Sequence, residues 1–166
     1  RGFGRIDQWL AARDHVRAVR GETIACAESL TGGALTARLI DVPGASRVVR
    51  GGVVAYAADV KAAVLGVSAA RLASHGTVDP QVAAEMALGV CRVLNSDWGV
   101  ATTGVAGPEP SEGKRVGTAY VAVVRAGGEP VIHELHLAGN RAKIRAAVVD
   151  AALEFIDAAL AADDGQ

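Results

Sequence analysis

Ser29 is the residue of this sequence whose position most clearly points to chemistry. It follows a short apolar run over residues 24–27, which predicts a buried strand. After it, Thr31-Gly32-Gly33 opens a segment with leucines at helical spacing, so Ser29 lies where a strand passes into a helix. Such a corner exposes a side chain and leaves backbone N–H groups for a ligand. The local sequence also allows a structural role, in which Ser29 only caps the helix and the glycines only relieve packing.

A serine hydroxyl is a weak nucleophile until a neighbouring group takes its proton. Lys61 is the best candidate for that group, because a lysine removed from water loses its preference for the charged form. The local sequence around Lys61 also fits a solvated lysine on a helix. That around Tyr56 also fits an aromatic side chain in the core. The histidines lie on a predicted first helix, in a turn and on an edge strand, where surface or structural roles are expected: His15, His75, His133 and His136.

The chain has 166 residues, of which 51% are hydrophobic. This is enough for one domain with a sizeable core. Much of that apolar content is Ala and Val, which fits Ala-rich helices packed closely on a Val-rich sheet. No apolar run approaches the length of a membrane span, and we expect no membrane association. The net charge is −1, the pI is near 6.5 and no basic cluster occurs, so we expect no nucleic-acid partner.

Two cysteines, Cys26 and Cys91, lie in apolar contexts without a second Cys or His at metal-ligand spacing. Buried free thiols in a reducing cytoplasm are expected, and a reactive Cys26 is the sharper alternative. We predict no metal site and no cofactor. No signal peptide is visible, and Arg1 is not a start Met, which indicates a trimmed chain or a piece of a longer protein. Ala-rich faces favour a homo-oligomer.

Strand and helix patterns alternate along the chain. We predict strands over 24–27, 51–56, 98–104, 118–124 and 131–137. We predict helices over 3–19, from about 31 to 42, shortly after residue 59, over 68–73, from an Asp79-Pro80 start to near 95, and over 141–160. Residues 107–113 form a loop, and 161–166 a frayed tail.

These elements predict a three-layer α/β/α sandwich with a mixed, mostly parallel sheet and an antiparallel edge hairpin made by the last two strands. We expect a single domain over 1–166, with its core at about 5–160. In such sheets the functional site lies beyond the carboxyl ends of the strands. That rule brings together Ser29, the turn from Tyr56 to Lys61, and residues 102–107.

Several separated motifs carry a resemblance to a known family. They are Ala27-Glu28-Ser29-Leu30-Thr31-Gly32-Gly33, Tyr56 with Lys61 five residues on, Thr103-Gly104-Val105-Ala106-Gly107-Pro108 and Val116-Gly117-Thr118. In order and approximate spacing, from about residue 5 to 160, the chain resembles the CinA C-terminal domain family. The resemblance implies a nicotinamide-nucleotide amidase, which hydrolyses the carboxamide of nicotinamide mononucleotide to nicotinate mononucleotide and ammonia in pyridine nucleotide salvage.

The resemblance also implies roles for individual residues. Ser29 is the expected nucleophile and Lys61 its base, in a Ser–Lys arrangement. Tyr56 is expected to bridge the two or to donate to the substrate. Backbone N–H groups at Thr31, Gly32 and Gly33 are the expected donors to the oxyanion.

The remaining expected contacts concern the substrate and its phosphate. Thr103, Gly104 and Arg141 are the expected phosphate anchors. Glu28 either orients Lys61 or caps the helix, and the sequence leaves both open. Two departures from the family pattern stand out: the stiffer, more acidic loop Glu109-Pro110-Ser111 replaces a glycine-rich run, and Ala58 stands where Asn is common. The alternative functions are a nucleotide- or phosphate-binding module without turnover and a regulatory interaction domain.

Overall fold

The computed structural model describes residues 21–165, and the helix predicted over 3–19 lies outside the described residues. The described chain forms five strands and five α-helices, with one short 3-10 turn at Ala45–Arg47. The strands are β1 (Ile24–Glu28), β2 (Val49–Val54), β3 (Trp98–Gly104), β4 (Thr118–Arg125) and β5 (Val131–His136). The helices are α1 (Ala34–Ile40), α2 (Ala58–Leu65), α3 (Ala69–His75), α4 (Pro80–Leu94) and α5 (Arg141–Asp164).

The strands form one mixed sheet in the order β2-β1-β3-β4-β5. β1 runs parallel to both β2 and β3, whereas β4 runs antiparallel to β3 and β5. The predicted mixed sheet with an antiparallel edge hairpin is therefore confirmed. Because β1, β2 and β3 point the same way, their carboxyl ends meet at one edge of the sheet, and the loops that follow them form one surface.

Side-chain alternation along the strands separates two apolar cores. Ile24 and Cys26 of β1 pack with α1 and α5 on one face, and Ala25 and Ala27 pack with α2 and α4 on the other. Helices therefore cover both faces of the sheet, which confirms the predicted three-layer architecture.

Small residues let α4 lie very close to its neighbours. A side chain at Gly99 of β3 would collide with the carbonyl oxygen of Ala87 in α4, and one at Gly89 of α4 would collide with the carbonyl of Leu65 in α2. This close packing accounts for the Ala- and Gly-rich composition of these faces. It also fixes the carboxyl end of α2 against α4, and α2 is the helix that carries Lys61.

Two element boundaries differ from the prediction. β2 begins and ends two residues earlier than predicted, because its ladder with β1 ends where Glu28 pairs with Val54, which leaves Tyr56 beyond the strand. α5 continues through Asp164 rather than ending at residue 160. An ion pair between Arg125 of β4 and Asp163 ties that last turn to the sheet, so residues 161–164 are helical rather than frayed.

The helix start predicted at Asp79-Pro80 is confirmed. The carboxylate of Asp79 accepts hydrogen bonds from the N–H groups of Gln81 and Val82, and Pro80 occupies the first helical position. Within residues 21–165, none of the helices is both long enough and apolar enough to cross a bilayer.

Candidate active site

Ser29 and Lys61 come together at the carboxyl edge of the sheet. Ser29 follows directly on β1, and its backbone N–H donates to the carbonyl of Thr102 in β3 at 3.0 Å, which holds it at the strand end. Lys61 lies in the first half of α2 after β2, and its Nζ donates to Ser29 Oγ at 2.8 Å. The two residues predicted as nucleophile and base are therefore in direct hydrogen-bond contact.

The amine of Lys61 is enclosed, with 0% of the residue exposed. Besides Ser29 Oγ, it donates to the carbonyl oxygens of Ala55 at 2.7 Å and Tyr56 at 2.9 Å. A protonated amine satisfies all three acceptors. A neutral amine has two hydrogens and one lone pair. When the two carbonyls take both hydrogens, the lone pair is left facing Ser29 Oγ, which is the geometry a base needs to accept the hydroxyl proton.

Burial lowers the pKa of Lys61 from 10.5 to about 8, and the negative charge of Glu112 opposes that shift in part. With a pKa near 8, about a tenth of the lysines are neutral at pH 7, and the neutral fraction rises as pH increases. An ordinary solvated lysine is almost wholly charged at this pH. The site thus supplies a usable base close to neutral pH.

Glu28 caps α1 and does not reach Lys61. Its carboxylate accepts hydrogen bonds from the backbone N–H of Leu35 at 2.9 Å and of Thr36 at 3.0 Å, and from Thr36 Oγ1 at 2.7 Å. Alternation along β1 directs Glu28 to the α1 face of the sheet, whereas Lys61 approaches Ser29 from α2 on the other face. Of the two roles that the sequence left open for Glu28, these hydrogen bonds are those of a helix cap, and the residue is fully buried.

The turn that links Ser29 to α1 is built from glycines and held from several sides. Gly32 and Gly33 have φ values of 60° and 100°, which L side chains rarely adopt. Thr31 is fully buried, and its Oγ1 shares a 2.8 Å hydrogen bond with Thr102 Oγ1. The Thr31 hydroxyl therefore points into the core, and the role predicted for Thr31 concerns its backbone N–H alone.

Some of the backbone N–H groups of this turn already donate hydrogen bonds within the protein. Ser29 N–H donates to Thr102, and Gly32 N–H donates to the carbonyl of Ser29 at 3.1 Å. Within the described residues, the N–H groups of Leu30, Thr31 and Gly33 have no hydrogen-bond acceptor. The start of α1 therefore keeps donors for an anion, as the strand-to-helix corner predicts.

A cavity of about 260 Å³ opens over Ser29. Of the residues that the sequence analysis selected, Tyr56, Gly104 and Arg141 line it together with Ser29. The other lining residues come from the turn after β1, the segment before α4 and the loop after β3: Leu30, Thr77, Val78, Val105, Ala106, Gly107, Glu109 and Ser111. Thr77 and Val78 carry no local sequence signal, because only the packing of their segment against β3 brings them to the cavity.

Arg141 closes one side of the cavity. Its guanidinium donates to the carbonyl of Gly107 at 2.6 Å and to the hydroxyl of Tyr56 at 3.2 Å. The Tyr56 side chain is 62% exposed, and its hydroxyl contacts Arg141 rather than bridging Ser29 and Lys61. The contact of Tyr56 with Lys61 is made by its backbone carbonyl. The bridging role expected for the phenol is therefore not observed, whereas Arg141 lines the cavity.

Thr103 does not line the cavity. It is buried, and its Oγ1 donates to the carbonyl of Thr77 at 2.7 Å, which fixes part of the cavity wall. Glu112 holds the same segment from the other side, accepting from Thr77 N at 2.8 Å and from Val78 N at 3.0 Å. Thr103 thus supports the cavity wall, and the neighbouring Gly104 lies at the surface of the cavity.

The other candidate groups do not contribute to this site. The described histidines make contacts elsewhere: His75 with Ser74, His136 with Glu134, and His133 in a stack with Phe155. Burial raises the pKa of Cys26 to about 12, with Glu28 adding to the effect, so the reactive thiol is not supported. Within residues 21–165, no group of three or more His, Cys, Asp or Glu side chains is placed to hold a metal ion.

Residues 11–160 match the family model described as the CinA C-terminal domain. The chain belongs to this family. A CinA-like protein of Frankia casuarinae is 48% identical over 142 residues, which are 86% of this chain and 33% of that protein. The CinA-like protein of Anaeromyxobacter sp. is 44% identical over 160 residues and is matched over 39% of its length. The chain thus spans about a third of the length of such relatives.

A solved CinA-type structure confirms the fold. The competence/damage inducible protein CihA from Agrobacterium tumefaciens superposes with a TM-score of 0.85 at 34% identity, covering 93% of this chain and 95% of that one. The match therefore includes nearly the whole of both chains. The predicted family is confirmed by sequence and by structure.

Proposed function

We propose that this CinA domain is an amidohydrolase that cleaves the carboxamide of nicotinamide mononucleotide. The observation that carries the proposal is the buried Lys61 amine, which lies 2.8 Å from the Oγ of Ser29, a residue that lines an open cavity. A binding module needs neither a serine at a strand end nor a buried lysine of lowered pKa beside it. The substrate comes from the family resemblance of the motifs around these residues.

In the proposed reaction, neutral Lys61 accepts the proton of Ser29 Oγ as that oxygen attacks the carboxamide carbon. Free N–H donors at the start of α1 stabilise the resulting oxyanion. The Lys61 ammonium then gives its proton to the departing nitrogen, and ammonia leaves an ester on Ser29. Neutral Lys61 next takes a proton from water as the water oxygen attacks the ester. The Lys61 ammonium returns this proton to Ser29 Oγ as the ester bond breaks and the carboxylic acid is released. The net reaction consumes one water and yields one carboxylic acid and one ammonia, which ionise in water to carboxylate and ammonium.

The charges at the cavity complement this substrate. Nicotinamide mononucleotide carries a cationic pyridinium ring and an anionic phosphate. Arg141 uses two guanidinium N–H groups on Gly107 and Tyr56 and keeps others for a phosphate. Glu109, which stands where the family has a glycine-rich run, brings a carboxylate to the same cavity and suits the pyridinium charge.

The test is ammonia release from nicotinamide mononucleotide by the parent domain and by Ser29→Ala. We expect the parent to produce ammonia and nicotinate mononucleotide in equal amounts, and Ser29→Ala to lose at least about four orders of magnitude in turnover. Ser74→Ala, on exposed α3, is the matched control and should keep parent activity. Near-parent turnover by Ser29→Ala with an unchanged unfolding curve would refute the mechanism. Substrate binding by a parent that releases no ammonia would favour the non-catalytic module.

A further inference from the structure

Glu112 contacts a segment that forms one side of the cavity, although Glu112 itself is not among the lining residues. Its Oε2 accepts hydrogen bonds from the backbone N–H groups of Thr77 at 2.8 Å and Val78 at 3.0 Å. Its Oε1 accepts a third from Thr77 Oγ1 at 2.9 Å. Three donors of one segment therefore converge on a single carboxylate, and hydrogen bonds to an ionised acceptor are the stronger kind.

The segment before α4 is shaped to receive this carboxylate. Gly76 has a φ of 77°, which L side chains rarely adopt, and a Cβ added there would collide with the Glu112 carboxylate. On its other side, the carbonyl of Thr77 accepts a hydrogen bond from Thr103 Oγ1 of β3 at 2.7 Å. Thr77 is thus held between β3 and Glu112, and without Glu112 it would be held from one side only.

The turn that carries Glu112 does not itself favour a glutamate. Ser111 and Lys114 exchange two backbone hydrogen bonds across it, at 3.2 and 2.8 Å. The two residues between them, Glu112 and Gly113, have φ values of 53° and 72°. Two-residue turns with two positive φ values favour Asn-Gly or Asp-Gly, and other L residues rarely adopt them. Asparagine would suit this backbone better, but its side chain is one methylene shorter than the one that reaches Thr77.

Both segments joined by Glu112 line the same cavity. The loop after β3 contributes Gly107, Glu109 and Ser111 to the lining, and the segment before α4 contributes Thr77 and Val78. Thr77 and Glu112 are 35 residues apart in the sequence, and neither belongs to a strand or a helix. No strand or helix therefore fixes one segment against the other at this point, and the carboxylate of Glu112 does so instead.

We propose that Glu112 is a positioning residue that joins the loop after β3 to the segment before α4 and so keeps this side of the substrate cavity in place. The inference rests on the proposed function, because it takes the cavity as the place where the substrate binds. It assigns to Glu112 no contact with the substrate. Loss of the join weakens binding of the ground state and the transition state alike, which raises KM and leaves kcat nearly unchanged.

The experiment compares Glu112→Asn with Glu112→Gln. Glu112→Asn suits the positive φ but is too short to reach Thr77, so it removes the join and keeps the turn. Glu112→Gln keeps the length and an oxygen that can accept both N–H groups, so it removes the charge and keeps the join. The matched control is Glu129→Gln, which removes a negative charge from an exposed position between β4 and β5.

The kinetics must be compared where the charge of Glu112 does not alter the base. Burial lowers the pKa of Lys61 to about 8 and Glu112 opposes that shift, so both substitutions lower the pKa further. At about pH 9, Lys61 is mostly neutral in the parent and in the variants. There we expect Glu112→Asn to raise KM for ammonia release about 5- to 20-fold, with kcat within about twofold. Glu112→Gln should stay within about threefold of the parent KM, and Glu129→Gln should match the parent.

A second readout does not depend on the substrate. Lys114 and Arg115 follow the turn, so trypsin can cut there when the loop leaves the protein surface. We expect this cut to be at least about fivefold faster in Glu112→Asn than in the parent, and unchanged in Glu112→Gln. A parent-like KM or a parent-like rate of cutting in Glu112→Asn would overturn the inference. So would a KM of Glu112→Gln as high as that of Glu112→Asn, because the charge and not the contact would then act. Global unfolding of Glu112→Asn would also overturn it, because the contact would then support the whole domain.

The two readouts separate this inference from the proposed function. If the parent releases no ammonia from nicotinamide mononucleotide but the loop of Glu112→Asn is cut faster, the proposed function fails and the join made by Glu112 stands. If the parent releases ammonia and Glu112→Asn matches it in both readouts, the proposed function stands and the inference on Glu112 fails. A parent without activity, together with a parent-like rate of cutting in Glu112→Asn, overturns both.

Discussion

Glu28 and Lys61 are two fully buried charged side chains at the end of β1, on opposite faces of the sheet. Within the described residues, the Glu28 carboxylate accepts its hydrogen bonds from Leu35 and Thr36 in the first turn of α1. Lys61 instead faces two backbone carbonyls and Ser29 Oγ, and Ser29 borders the cavity. The Glu28 carboxylate is thus enclosed by the first turn of α1, whereas the Lys61 amine contacts a hydroxyl that borders the cavity.

The comparison shows that burial of a charge does not by itself mark a functional residue. Helix N–H groups and a hydroxyl stabilise the carboxylate of Glu28 where it lies. Lys61 has no carboxylate in hydrogen-bond contact within the described chain, and burial lowers its pKa to about 8. We expect the functional group to be the one whose charge is incompletely compensated and whose hydrogen-bond partner can react.

Of the substitutions that test this comparison, those of Lys61 are expected to have the largest effect on activity. Lys61→Arg keeps a positive charge but cannot be deprotonated near neutral pH, so it removes the base and keeps the electrostatics. We expect Lys61→Arg and Lys61→Ala to lose about 10²- to 10⁴-fold in single-turnover rate with nicotinamide mononucleotide. Substantial activity in the Arg variant would instead mean that Lys61 serves as a fixed charge.

The next largest effect is expected at Arg141, on the exposed side of the cavity, where substitution should weaken substrate binding. A charge-assisted contact with the phosphate is worth roughly 1.5–3 kcal/mol. Arg141→Ala should therefore raise KM for nicotinamide mononucleotide about 10- to 100-fold and change KM for the phosphate-free riboside much less. Equal losses on both substrates would assign Arg141 to holding Gly107 and Tyr56 in place.

Glu28→Gln should have the smallest effect on turnover and act on stability instead. The amide keeps one oxygen for Thr36 but places a donor against the N–H of Leu35, so one buried donor loses its acceptor. We expect the free energy of unfolding, measured by urea denaturation, to fall by about 1–3 kcal/mol. The pH profile of kcat/KM should not move. A shifted profile would show that Glu28 acts on Lys61 after all.

The architecture was largely predictable because its signals are local. The Asp79-Pro80 start and the apolar run of β1 each specify an element. The rule that functional sites lie beyond the carboxyl ends of the strands then brings Ser29 and Lys61 together. Alternation along β1 could also have assigned Glu28 to the α1 face, since Ile24 and Cys26 lie there.

Other parts of the site depend on contacts between distant segments. Thr103 turns inward because the segment with Thr77 packs over β3, and Tyr56 turns outward because β2 is an edge strand that ends two residues before it. The hydrogen bonds of Arg145 to the carbonyls of Leu30 and Thr31 had no signal in the sequence. They depend on where α5 crosses the turn after β1, which helix periodicity alone does not specify.

The central claim, that Lys61 is a base, is tested most directly by NMR titration of its side-chain amine, with Lys61→Arg used to assign the signal. Burial lowers the pKa, so Lys61 should be charged below a midpoint of about pH 8 and neutral above it. The kcat/KM of the parent for ammonia release should rise through the same midpoint. A midpoint near 10.5, the ordinary lysine value, would contradict the account, because the amine would then stay charged wherever the protein is active.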